Sequence, residues 1–115
     1  QHAAVAALGC RDECEENGAR YVRNRAVLLH RLPRMGLDRL APADGAFYVY
    51  ADVTDLGRPA TDLCSTWLEE LGVATTPGID FDPTRGERFV RFSFAGATAD
   101  IEAACDRLEG WLVGR

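Results

Sequence analysis

Arg88-Phe89-Val90-Arg91-Phe92-Ser93-Phe94-Ala95 alternates with a period of two. Val90, Phe92 and Phe94 fall on one side, and Phe89, Arg91 and Ser93 on the other. Alternation built from aromatic and β-branched residues marks a strand with one face in a core. A sheet with one buried face needs cover, and the surrounding sequence supplies it. Upstream, Pro83 and Gly86 make 79–87 a loop, and Val73-Ala74-Thr75 reads as a short strand stopped by Thr76-Pro77-Gly78. Before that, Leu63, Cys64, Trp67, Leu68 and Leu71 recur at helical spacing over 60–71, with Gly72 placed to close the helix.

Residues 46–53 read as a further strand, with Phe47, Val49, Ala51 and Val53 on one face and Tyr48 and Tyr50 on the other. The turn Ala41-Pro42-Ala43-Asp44-Gly45 precedes it. Residues 3–32 read as helix in one or two pieces, weakened by Gly9 and Gly18 and ended by Pro33 and Gly36. Tyr21, Val22, Leu28, Leu29 and Leu32 form its apolar stripe, with Arg20, Arg23 and Arg31 opposite. At the far end, Thr98 can cap a last helix with Asp100 and Glu102 in its first turn. Ile101, Ala104, Cys105, Leu108 and Leu112 are its buried stripe. The predicted fold class is α/β: a small two-layer sandwich, with a sheet of three or four strands covered by helices mainly on one face.

Composition narrows the function. At 115 residues, 47% apolar and 27% charged, the chain fits one domain, residues 1–115. A net charge of −5 argues against nucleic acid, where neutralising phosphate dominates affinity. No apolar run approaches the roughly 20 residues of a membrane span and no secretory leader is visible, so a cytoplasmic protein without a membrane partner is expected. Cys10, Cys14, Cys64 and Cys105 lie in helical patterns without metal-ligand spacing, so reduced thiols are expected. All 13 basic residues are arginine. Without a lysine amine, no side chain here can form a Schiff base. The start at Gln1, directly in Ala-rich helical sequence, suggests a piece of something longer.

Among candidate functional residues Arg91 stands out, a charge set in an apolar strand. It is either a solvated charge or an anion site, because a guanidinium on a rigid strand can grip a carboxylate through two parallel hydrogen bonds. Ser93 shares its face and could assist. Tyr48 and Tyr50 could line a pocket or simply pack across strands. Arg85 and Arg88 read as solvated, Asp80 and Asp82 as turn-capping, and His30 and His2 carry no catalytic expectation. No nucleophile–base set, phosphate loop or zinc pattern is present.

Four segments in order carry a resemblance: Gly45-Ala46-Phe47-Tyr48, Leu71-Gly72-Val73, Thr76-Pro77-Gly78-Ile79-Asp80-Phe81, and Arg88 to Ala95. The chain resembles the C-terminal small domain of class I/II aminotransferases, pyridoxal-phosphate enzymes of the aspartate aminotransferase fold type. Tyr21 and Arg25 ahead of Leu28-Leu29 resemble the helix that leads in from the large domain, here residues 1–32. The resemblance implies that Arg91 grips the substrate α-carboxylate and that Phe47 lies near the cleft. It implies amino-acid and 2-oxo-acid substrates and a homodimeric whole enzyme. The Schiff-base lysine and the groups that hold pyridoxal phosphate would lie in a large domain outside this chain, which alone would be inactive. A free-standing carboxylate-binding module or an interaction domain reusing the fold is the alternative.

Overall fold

The computed structural model describes residues 11–41 and 47–113, the side chains of residues 11–14 apart. Helix α1 spans Arg11–Arg34, α2 Ala60–Leu71 and α3 Thr98–Val113. Strands β1 (Tyr48–Asp52), β2 (Thr76–Pro77) and β3 (Phe89–Ser93) form one antiparallel sheet in the order β1-β3-β2. The alternating strand is therefore central. Val49 pairs with Phe92 and Ala51 with Val90, so the apolar positions of both strands share a face. All three helices cover that face, and Trp67, Leu63, Leu32 and Leu108 are fully buried against it. The small α/β sandwich expected from the pattern is the observed architecture.

Several boundaries move. Gly18 does not divide α1, which also runs through Pro33 to Arg34. Pro33 lies in the last turn, so it removes only one late bond, to the Leu29 carbonyl, and its ring disturbs the end of the helix and not its interior. Gly36 at φ 99° and a bond from Leu37 N to Leu32 O (2.9 Å) then turn the chain out of the helix. The expected break at Gly9 lies outside the described residues. Helix α2 ends as expected, with Gly72 at φ 67° and its N–H on Leu68 O.

The short strand is displaced: Thr76 and Pro77, expected to stop it, are the residues that pair. Pro77 is tolerated because β2 lies at the sheet edge, where proline's missing N–H can fall on the side that has no neighbouring strand.

The apolar stripes are narrower than expected. Val22, Leu29 and Leu68 are 57%, 40% and 56% exposed. Each sits one residue beyond a well-placed neighbour (Tyr21, Leu28, Trp67), and a step of about 100° carries it off the buried face. The true stripe of α1 includes Asn24, which is fully buried. Its Nδ2 donates to Phe94 O and Gly96 O, both 2.8 Å, and its Oδ1 accepts from the Thr98 hydroxyl at 2.6 Å. Asn24 thus satisfies carbonyls left over where β3 ends, and ties α1 to the start of α3. Thr98 opens α3 with its hydroxyl turned to Asn24, a different use from the cap expected of it.

Among the described residues no helix is long and apolar enough to cross a membrane.

Candidate functional site

The face of the sheet away from the helices carries the polar and aromatic half of the alternation. Arg91 lies at its centre, paired with Tyr50 on β1 and Thr76 on β2. Its guanidinium carbon is 5.1 Å from the centroid of the Tyr48 ring and 4.6 Å from that of Phe81. Both distances are within the reach of a cation–π contact. Nη2 lies 3.5 Å from Thr76 Oγ1, at the outer limit of a hydrogen bond. Nε is buried and has no partner. Among the described residues no carboxylate forms an ion pair with Arg91, whereas Arg31 and Arg39 each bridge two. A half-buried cation with unused donors and ring faces around it is chemically suited to an incoming anion.

Phe81 reaches Arg91 from the loop between β2 and β3. The loop folds tightly on itself: Phe81 N and Asp82 N both donate to Gly78 O at 2.9 Å, and Gly86 N donates to Asp82 O at 2.8 Å. Asp82 Oδ1 accepts from Thr84 N and Arg85 N, at 3.0 and 3.2 Å. Asp82 is thus the turn-capping residue it was expected to be; Asp80 lies exposed in the short 3-10 turn before it.

Two glycines permit the fold. A Cβ on Gly86 would stand 2.2 Å from Ile79 N, and one on Gly78 would stand 2.2 Å from the Tyr50 hydroxyl. Tyr50 in turn stacks on Phe89, ring centroids 4.8 Å apart and planes 10° from parallel. Burial, with smaller effects from Asp82 and Tyr48, raises the Tyr50 phenol above its ordinary range. The sheet, through Tyr50, is the floor on which the loop rests.

The remaining candidates separate. Phe47 lies just before β1, 54% exposed, edge-on to Tyr48 at 6.1 Å. It is therefore at the rim of the Arg91 face and outside the core in which the strand pattern placed it. Ser93 is exposed and its Oγ accepts from Ala95 N (3.3 Å), a local turn bond. Arg85 and Arg88 are exposed as expected, Arg88 Nε reaching Thr54 Oγ1 at 3.3 Å. Exposed His30 has Nε2 3.2 Å from Arg34 Nη1, on helix α1. His2 and Cys10 are outside the described residues, as is the side chain of Cys14.

Cys64 and Cys105 are buried free thiols, and burial raises both above the usual thiol range. Among the described residues no group of three or more His, Cys, Asp or Glu side chains could hold a metal. The residue that sequence reading missed is Phe81. Its segment has neither helical nor strand periodicity, and only the distance to Arg91 reveals it.

The family model for aminotransferase class I and II matches residues 1–108. The valine–pyruvate aminotransferase of Mycobacterium tuberculosis is 53% identical over 114 residues, covering 97% of this chain and 29% of that protein. The aspartate aminotransferase of Pyrococcus abyssi is 39% identical over 114 residues, covering 95% of this chain and 28% of the relative. In structure, a candidate aminotransferase from Silicibacter pomeroyi superposes with a TM-score of 0.94 at 53% identity, over 98% of this chain and 30% of that one. The chain therefore spans less than a third of the length of the relatives it matches.

Proposed function

We propose that this chain, which belongs to the class I and II aminotransferase family, is the substrate-gripping small domain of a longer enzyme that moves an amino group between an amino acid and a 2-oxo acid. Arg91 binds the α-carboxylate common to both substrates. Phe47 and Tyr48 line the approach. The observation that carries this reading is the state of Arg91: on the central strand, with Nε buried and unpartnered, two aromatic rings beside it, and no carboxylate side chain among the described residues paired with it. A charged hydrogen-bond donor held out of water without a partner is costly, and an arriving carboxylate offsets that cost by accepting two bonds from one planar fork.

Family members use pyridoxal phosphate, which as an electron sink supplies the bond-breaking chemistry. This chain's residues do not fit the attachment of that group, because none of its 115 residues is lysine. The cofactor and its lysine belong to the rest of the longer enzyme, and the chain alone is inactive. What these residues contribute is orientation. Gripping the carboxylate from a rigid strand fixes the neighbouring carbon in one geometry, which is where positioning gains its rate.

The test is Arg91→Lys in the full-length enzyme. Lysine keeps the charge and loses the planar fork. The expected loss is on the order of 3–5 kcal/mol of transition-state binding, or about two to four orders of magnitude in kcat/KM, for amino acids. Matched amines lacking the carboxylate should lose little. Equal losses for both would show that Arg91 acts through folding and does not hold the carboxylate.

A further inference from the structure

Charge alone does not make an arginine a good carboxylate clamp. The guanidinium is a flat fork at the end of a flexible stem, and its advantage over lysine is lost if the plane turns. At two other arginines acidic residues hold the guanidinium: Arg31 lies between Asp106 and Glu109, both at 2.8 Å, and Arg39 reaches Asp52 and Asp55. Such a partner would occupy the very donors a substrate needs. At Arg91 the neighbours are rings in place of acids: the guanidinium carbon lies over Tyr48 at 5.1 Å and over Phe81 at 4.6 Å, and neither ring carries a carboxylate to take its donors.

Tyr48 is delivered by β1 and fixed with the sheet. Phe81 is delivered by a loop, and its position needs several features at once: the contact between Gly78 and Gly86, the Asp82 cap, and the Tyr50 floor beneath Gly78. Its ring is nonetheless 55% exposed, so it adds little to the core. What this loop geometry achieves is the approach of the ring to within 4.6 Å of the Arg91 guanidinium carbon.

We infer that Phe81 is a positioning residue for carboxylate recognition, holding the Arg91 guanidinium in its productive plane from the loop side. The inference rests on the reading of Arg91 as the carboxylate clamp. Phe81 need not touch substrate. It acts by reducing the orientations Arg91 must give up on binding, so its effect belongs mainly in KM and in the inhibition constants of carboxylates.

The experiment uses the full-length enzyme with Phe81→Leu, Phe81→Tyr, Arg91→Lys and the Phe81→Leu/Arg91→Lys pair. The probes are a matched amino acid and amine, and a simple aliphatic monocarboxylate as competitive inhibitor. Phe81→Leu should raise KM for the amino acid and the inhibition constant of the monocarboxylate by about three- to thirty-fold, the range of a cation–π contact. Amine turnover and kcat should hardly move. Phe81→Tyr, which keeps the ring, should restore both constants. In the Arg91→Lys background Phe81→Leu should add almost nothing, because the fork it orients is gone.

If Phe81→Leu leaves carboxylate affinity unchanged while Arg91→Lys still separates amino acid from amine, the positioning role is wrong and the clamp stands. If Phe81→Leu impairs amine and amino acid alike, Phe81 supports the loop and not the guanidinium plane. If Arg91→Lys affects both substrates equally, the clamp fails and the role of Phe81 fails with it.

Discussion

The two faces of the sheet are built by different rules. On the covered face, Val49, Ala51, Val90 and Phe92 meet three helices, and every one of them is buried. Apolar side chains there need only alternate and be of suitable size, because burial is non-directional and scales with area. On the open face, Tyr48, Tyr50, Phe89, Arg91 and Thr76 meet each other and a loop at particular distances. Stacking, cation–π contact and hydrogen bonding depend on direction, so a shift that the covered face would absorb disables the open one. The covered face supplies the rigidity, and the open face uses it.

The largest test of this contrast is on the covered side. Trp67 is fully buried, with Phe92 and Trp111 rings each 5.9 Å away. Trp67→Ala should cost about 3–5 kcal/mol, read as a lower midpoint in chemical denaturation. An unchanged midpoint would show that the helices do not rely on this contact. Next in size is Gly86→Ala, where the new Cβ meets the Ile79 and Gly78 backbone at 2.2–2.4 Å, atoms that cannot swing aside. The loop must open, at a cost of about 1–3 kcal/mol. Phe81 should move off Arg91 and amino-acid KM should rise, while the helix signal in circular dichroism is kept. Loss of that signal as well would mean that loop and core are not separable.

The smallest effect lies where the faces meet, at the end of β1. Burial alone would push the Asp52 carboxyl up, but hydrogen bonds from the Thr54 hydroxyl and N–H, with Arg39 and Arg88 nearby, leave it below the usual aspartate value. A carboxyl lowered by folding stabilises the fold above its unfolded value of about 3.9, and that contribution is lost as pH falls through the folded value. Asp52→Asn should therefore be less stable than the parent sequence at pH 7. The gap should close as pH drops below about 3.9. A gap independent of pH would mean that the Thr54 bonds matter through shape and not charge.

Much of the architecture is legible in the residue pattern. The period-two run through Arg91 marks a strand, and the 60–71 pattern closed by Gly72 marks a helix that is found over the same residues. Arg91 stood out because a charge in an apolar strand breaks a rule. Such breaks survive where something uses them. Asn24 breaks the same rule in α1, but its sequence does not mark it, since an amphipathic helix carries polar residues on every turn and only packing shows that this one faces inward. Pro77 looked like a terminator because sequence does not say that its strand lies at an edge.

Residue order was enough to establish that this is a small α/β domain, that Arg91 stands in an apolar, alternating strand, and that no lysine chemistry is done by these 115 residues. Those are consequences of composition and of periods two and 3.6, both local properties of the chain. Folding was needed to bring Phe81 to within 4.6 Å of Arg91, to put Tyr48 diagonally across from it, and to lay Tyr50 under Gly78. Contacts between a loop and a strand face follow from strand register and from the backbone closing on itself at Gly78 and Gly86. Neither is written in the periodicity of any one segment.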